Sequence, residues 1–135
     1  MAGNTYVYSN ARHLFATGQI NWVTGNVRCS LVSAAYAPSI GDVFYSAIPA
    51  GAIMADVKLT SQSETGGTCF GVIPEFASFT SATQVVALVL YFDTGNPASS
   101  PLLYYSDDGL GFPFQPQGFN YTVGFDQSAG GFFQA

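Results

Sequence analysis

Val85-Val86-Ala87-Leu88-Val89-Leu90-Tyr91-Phe92 is the longest apolar run in the chain. Its β-branched and aromatic residues favour a strand, and its lack of alternation marks one buried on both faces. It is far shorter than the roughly 20 residues a membrane-spanning helix needs. Asp93-Thr94-Gly95-Asn96-Pro97 closes it with turn residues. A central strand needs neighbours, and the sequence on either side supplies short candidates.

Downstream, Leu102 to Ser106 presents apolar groups to both faces and ends at Asp107-Asp108-Gly109. Phe119, Tyr121, Val123 and Phe125 alternate with polar or small residues, and Phe132-Phe133 follows Gly130-Gly131. Upstream, Val27 to Val32 is a strand. Ile53 to Thr60 alternates as a half-buried one, with Ile53, Ala55, Val57 and Leu59 inward. Cys69 to Ile73 follows the Gly66-Gly67 turn, and Phe76 to Thr80 is short and aromatic. Asp42 to Ile48 predicts a short helical turn capped by Asp42. One longer helix is predicted over about 5–17. Val7, Ala11, Leu14 and Phe15 share its apolar face, Asn4 is its N-cap and Gly18 its stop. Short strands at this spacing predict a mainly β chain. The expected form is a single domain over 1–135, an antiparallel β-sandwich or jelly roll with one N-terminal helix.

Composition narrows the function. Hydrophobic residues make up 48% and charged residues 8%, against about 25% charged in ordinary domains. Three Lys+Arg against eight Asp+Glu give a net charge of −5. So few cations cannot track phosphates, and an anionic membrane surface would repel the chain, so neither partner is expected. The apolar, aromatic-rich composition excludes intrinsic disorder. No basic-then-apolar signal opens the sequence, and Met1-Ala2-Gly3-Asn4 reads as a cytosolic start. Without an export signal a disulfide framework is not expected. Cys29, in phase with Val27 and Leu31, reads as core, while a Cys29–Cys69 bridge stays open. So little charge on a folded surface predicts a homo-oligomer or a chain largely covered by partners.

Catalytic signals are sparse. His13, the single histidine, sits beside Arg12 off the helix's apolar stripe and reads as a solvated residue. Asp107-Asp108-Gly109 is ordinary turn chemistry, since a calcium loop would need further ligands and a later Glu. Asp42, Asp93 and Asp126 fall at turn or strand ends. Eight acids could in principle hydrolyse sugars, but nothing in the sequence places two across a cleft. No nucleophile elbow, phosphate loop or metal-binding motif is present. The expectation is therefore no enzyme, no catalytic, cofactor-binding or metal residues, and no cofactor.

Aromatic residues carry the remaining information. Tyr104, Tyr105, Phe112, Phe114, Phe132 and Phe133 crowd the C-terminal third and are the candidate interface residues. Phe112 and Phe114 flank Pro113 in the stretch Gly111 to Gly118, and no charge falls between Asp108 and Asp126. A proline excludes that stretch from an interior strand, which makes its two rings expected anchors of a subunit contact.

Three segments together carry a resemblance. Leu14-Phe15-Ala16-Thr17-Gly18-Gln19-Ile20-Asn21-Trp22 leads into Asn26-Val27-Arg28-Cys29-Ser30-Leu31-Val32. Ile48-Pro49-Ala50-Gly51-Ala52 opens a strand. Ala87-Leu88-Val89-Leu90-Tyr91-Phe92-Asp93-Thr94-Gly95 precedes Ser100-Pro101-Leu102-Leu103-Tyr104-Tyr105. Their order and spacing, from Ala11 to Asp126, resemble small virion proteins of tailed bacteriophages. The chain departs from them at Phe92, where related chains carry a polar residue, which implies a more buried surface. The resemblance implies a capsid cement or decoration protein, made in the host cytoplasm and carried on the virion surface. Its expected partners are the major capsid protein or other virion proteins. A head, neck or tail spike or fibre-base protein contacting host glycan is the alternative, with a glycan hydrolase fragment behind it.

Overall fold

The computed structural model describes residues 5–66, 68–72, 76, 83–107, 115–118 and 133–134. In chain order its elements are β1 (Thr5–Val7), α1 (Ser9–Ala16), β2 (Val27–Val32), β3 (Ile53–Lys58), β4 (Thr60–Thr65), β5 (Thr68–Val72), β6 (Ala87–Phe92), β7 (Leu102–Ser106) and β8 (Phe133–Gln134). Two 3-10 turns, Tyr45–Ala47 and Ala50–Ala52, precede β3. The chain is mainly β, and every strand pair among the described residues is antiparallel.

The apolar run lies where its composition demands. β6 is the middle strand of a five-stranded sheet ordered β1-β7-β6-β2-β3, and Ala87, Leu88, Val89 and Leu90 have no exposed surface. β2 and β7, its neighbours, match the predicted spans. A second sheet, ordered β4-β5-β8, has three strands.

The run expected as one strand from Ile53 to Thr60 serves both sheets. Leu59 is fully buried between β3 and β4, and its N–H donates to the Val27 carbonyl at 2.9 Å. Beyond it the polar segment Thr60–Thr65 forms β4, mostly exposed. Thr-Ser-Gln-Ser-Glu-Thr lacks apolar alternation, so pairing with β5 rather than burial makes it a strand. Ser61, at φ 52, lies within the irregular register that opens it.

The N-terminal helix is shorter than predicted. Thr5 to Val7 pairs with β7, and α1 begins at Ser9 with Tyr8 as its N-cap, in place of Asn4. The Tyr8 N–H donates to the Leu103 carbonyl, so the sheet claims the segment before a helix can form. The predicted stop at Gly18 holds. Gly18 has φ 74, its N–H reaches the Phe15 carbonyl, and the Gln19 N–H reaches that of Leu14. These two bonds make a Schellman cap, which favours glycine at the left-handed position.

Asp42 does not cap the turn at Tyr45–Ala47, whose N-cap is Phe44. Its carboxylate accepts from Tyr36 and from the Ser39 N–H instead. Both cysteines are buried and free, so no Cys29–Cys69 bridge forms. Phe76 is buried. The rest of the predicted strand at 76–80, the end of that at 69–73 and the whole of that at 119–126 lie outside the described residues.

Candidate functional site

Register places unlike residues on the two faces of the larger sheet. One cross-strand row is Val7, Tyr104, Leu90, Cys29 and Val57. The next row, on the opposite face, is Tyr6, Tyr105, Val89, Ser30 and Asp56. The first is almost wholly apolar. The second is where hydroxyls and carboxylates gather, and rings from the connection between β2 and β3 pack onto it.

At the β3 end, Asp56 is the hub. Its Oδ2 accepts from Arg28 Nε at 2.8 Å and from the Tyr91 hydroxyl at 3.0 Å. Its Oδ1 accepts from Ser30 Oγ at 3.3 Å. Because the Ser30 proton goes to Asp56, the Tyr45 hydroxyl donates to Ser30, at 2.6 Å. The Tyr45 and Tyr91 rings stack at 3.9 Å. Burial, then the Asp56 charge, pushes the Tyr91 phenol well above its ordinary range, and burial raises that of Tyr45. Burial works against the Arg28 charge, but the hydrogen bond and charge of Asp56 outweigh it and raise the guanidinium pKa.

At the β1 end, four tyrosines replace the ion pair. Tyr8 donates to Tyr36 at 2.8 Å, and Tyr36 donates to Asp42 Oδ2 at 2.8 Å. The direction follows from the carboxylate, which only accepts. Tyr105 donates to Asp107 at 3.2 Å. Tyr6 stacks on Tyr105 and meets Tyr8 edge-on, both at 5.3 Å. Its own hydroxyl is buried and makes no hydrogen bond of normal geometry among the described residues, though the Tyr8 hydroxyl lies close enough to act on it. Burial raises the phenols of Tyr6, Tyr8, Tyr36 and Tyr105, and nearby Asp42 or Asp107 adds to the rise in each.

With pKa values raised from 10.0 the phenols hold their protons through neutral pH. Tyr36, Tyr91 and Tyr105 donate to carboxylates, whereas Tyr8 donates to Tyr36 and Tyr45 to Ser30. Burial pushes the Cys29 thiol far up and that of Cys69 to about 11, so neither is a ready nucleophile. Among the described residues no group of three or more His, Cys, Asp or Glu could hold a metal ion. No helix among them is long and apolar enough to cross a membrane.

Of the predicted interface residues, Tyr104, Tyr105 and Phe133 lie among the described residues. Tyr104 and Tyr105 are 6% and 4% exposed, one in the apolar row and one in the tyrosine cluster, which leaves little ring for a partner. Phe112, Phe114 and Phe132 lie outside the described residues. Phe133 pairs with Cys69 in β8. His13 is exposed on α1. Asp93 accepts from the Gly95 N–H at 2.8 Å, as a turn residue should.

Outward-facing apolar groups occur elsewhere. Ile40 and Phe44, 45% and 40% exposed, lie on the connection between β2 and β3. Val23, at 50%, borders a cleft of about 330 Å³ lined also by Phe15, Ile20, Trp22, Glu64 and Cys69. Sequence reasoning missed Tyr36, Tyr45 and Asp56 as a set, because their partners lie on other strands. No known protein family, curated protein or solved structure matches this chain.

Proposed function

We propose that this chain is a non-enzymatic structural protein of a phage particle, a cement or decoration protein that docks on coat subunits. In this reading the two sheets close as a β-sandwich or jelly roll, and the chain works as a homo-oligomer on the capsid surface. The observation that carries the reading is the connection from β2 to β3. Tyr45 fastens it to Ser30 of β2, and Tyr36 packs edge-on against Tyr105 of β7 and bonds the Tyr8 hydroxyl, yet the connection turns Ile40 and Phe44 outward. A firmly held segment that exposes large apolar side chains suits contacts that lose little affinity in salt. The scarcity of charge and the resemblance to small virion proteins support the same reading. Phe112 and Phe114 remain its proposed anchors in the C-terminal third.

Particles assembled with variant chains test it. Ile40→Asp with Phe44→Asp should lower the copy number per capsid and leave the melting point of the isolated chain nearly unchanged. Phe112→Ala with Phe114→Ala should do the same, since truncating an anchor typically costs about 2 kcal/mol or more of binding. Full occupancy by both variants, or absence of the wild-type chain from purified particles, would overturn the proposal.

A further inference from the structure

Among the described strands β3 forms one edge of the larger sheet, and its open side has a defined phase. The Leu59 N–H bonds the Val27 carbonyl, and bonded positions alternate along an antiparallel ladder. Ala55 and Val57 therefore direct their main-chain groups to β2. Met54, Asp56 and Lys58 direct theirs outward. None of the three has a main-chain partner on that side among the described residues. An open edge is a template for another strand unless a proline, a bulge or an unmatched charge blocks it. Ile53–Lys58 contains no proline, and its register irregularity lies at the Ile53 end, which leaves Ala55 to Lys58 regular.

Charge then selects the occupant and its register. Lys58 is exposed and has no ion-pair partner among the described residues. Such a lysine repels a strand that cannot answer it. Asp56, two residues away on the same face, is about one-third exposed, and its Oδ1 carries only the 3.3 Å contact with Ser30. The segment Asp56-Val57-Lys58 is therefore its own complement in the antiparallel sense. We propose that two copies of this chain pair edge to edge through β3, with the twofold axis at Val57. Asp56 then lies opposite the partner's Lys58, and Lys58 opposite the partner's Asp56, at the positions whose main-chain groups point outward. An axis at Asp56 would set two carboxylates against each other. An axis at Ala55 would leave both charges facing apolar residues. The proposal is argued from register and charge and gives the homo-oligomer of the capsid reading one defined interface. Cross-linking at position 57 tests this interface, whereas copy number on particles tests that reading.

Val57 faces its own copy at the axis, in a non-bonded pair whose Cα atoms lie about 4.5 Å apart, within disulfide reach. The full-length chain carrying Val57→Cys in a Cys29→Ala background, which removes the thiol directly opposite on β2, should give a cross-linked dimer under mild oxidation, because the remaining native thiol is buried. The position-55 and Lys58 variants share that background wherever cross-linking is read. Ala55→Cys, which does not meet itself across this axis, should remain uncrosslinked. Adding Lys58→Glu to Val57→Cys should lower the yield, and in the wild-type background it should weaken the dimer by roughly tenfold in sedimentation equilibrium. Lys58→Arg should preserve both. Circular dichroism checks that each variant folds. A monomeric wild-type chain, equal cross-linking at positions 55 and 57, or a dimer indifferent to Lys58→Glu would overturn the proposal.

Discussion

Two adjacent rows cross the same five strands, one residue apart, and hold them by different means. In the row through Leu90 and Cys29 the residues touch through carbon and sulfur, and those two have no exposed surface. In the row through Val89 and Ser30 the strands carry hydroxyls and a carboxylate, and cover comes from the tyrosines of a connection. Removing a group from the first row leaves a void. Removing one from the second leaves a polar partner unmatched. The second row also differs between its ends, since Asp56 has a cation beside it whereas the tyrosine end relies on neutral donors.

The largest effect that separates the two rows should come from alkali, because it acts on all the raised phenols together. Tyr6, Tyr8, Tyr36, Tyr45, Tyr91 and Tyr105 all have pKa values raised from the ordinary 10.0. The unfolded chain therefore releases its phenolic protons first. Their contribution is complete below about pH 10 and is lost as pH rises toward the folded values. The two thiols, raised from 9.0, begin the decline somewhat earlier. Denaturant midpoints from pH 7 to 11 should be flat at first and then fall steeply. A flat profile throughout would remove the tyrosine face from the account of stability.

Next in size is Leu90→Ala, which opens a void at the centre of the apolar row. It should cost about 2–5 kcal/mol in equilibrium denaturation and leave the alkaline fall in place. Tyr36→Phe breaks the relay from Tyr8 to Asp42 and leaves the buried Tyr8 hydroxyl without its acceptor. A loss of about 1–3 kcal/mol is expected, with a shallower alkaline fall. The smallest effect is assigned to Arg28→Gln. Asp56 would keep Tyr91 and Ser30, and the ion pair is partly exposed, so about 1 kcal/mol or less should be lost. A larger loss there than at Tyr36 would reverse the ranking of the two ends.

The larger sheet was far more legible in the sequence than either the smaller sheet or the site. Burial on both faces leaves an unbroken apolar run, and Val85 to Phe92 announced the middle strand without reference to any other segment. β4 left no such mark, since a strand stabilised by its neighbour's hydrogen bonds has no composition of its own to show. The helix was overextended because Val7 fits the spacing of Ala11, Leu14 and Phe15. The competing signal was Thr5-Tyr6-Val7-Tyr8, whose alternating aromatic and β-branched residues favour a strand. The tyrosine networks could not be read at all. Tyr91 meets Asp56 across 35 positions of sequence, and Tyr36 lies on the connection between β2 and β3, where no periodicity marks it.

Each sheet also contains one buried thiol, Cys29 in β2 and Cys69 in β5. Only an exposed thiolate reacts quickly, so an alkylating reagent must wait for the local structure to open. Labelling kinetics followed by mass spectrometry on the unmodified chain would thus give two opening rates. One belongs to the interior of the five-stranded sheet and the other to the middle strand of the three-stranded one. If Cys69 is labelled long before Cys29, the smaller sheet opens while the larger stays shut. Equal rates would mean that the two open as one cooperative unit, coupled through the buried residue Leu59 that joins them.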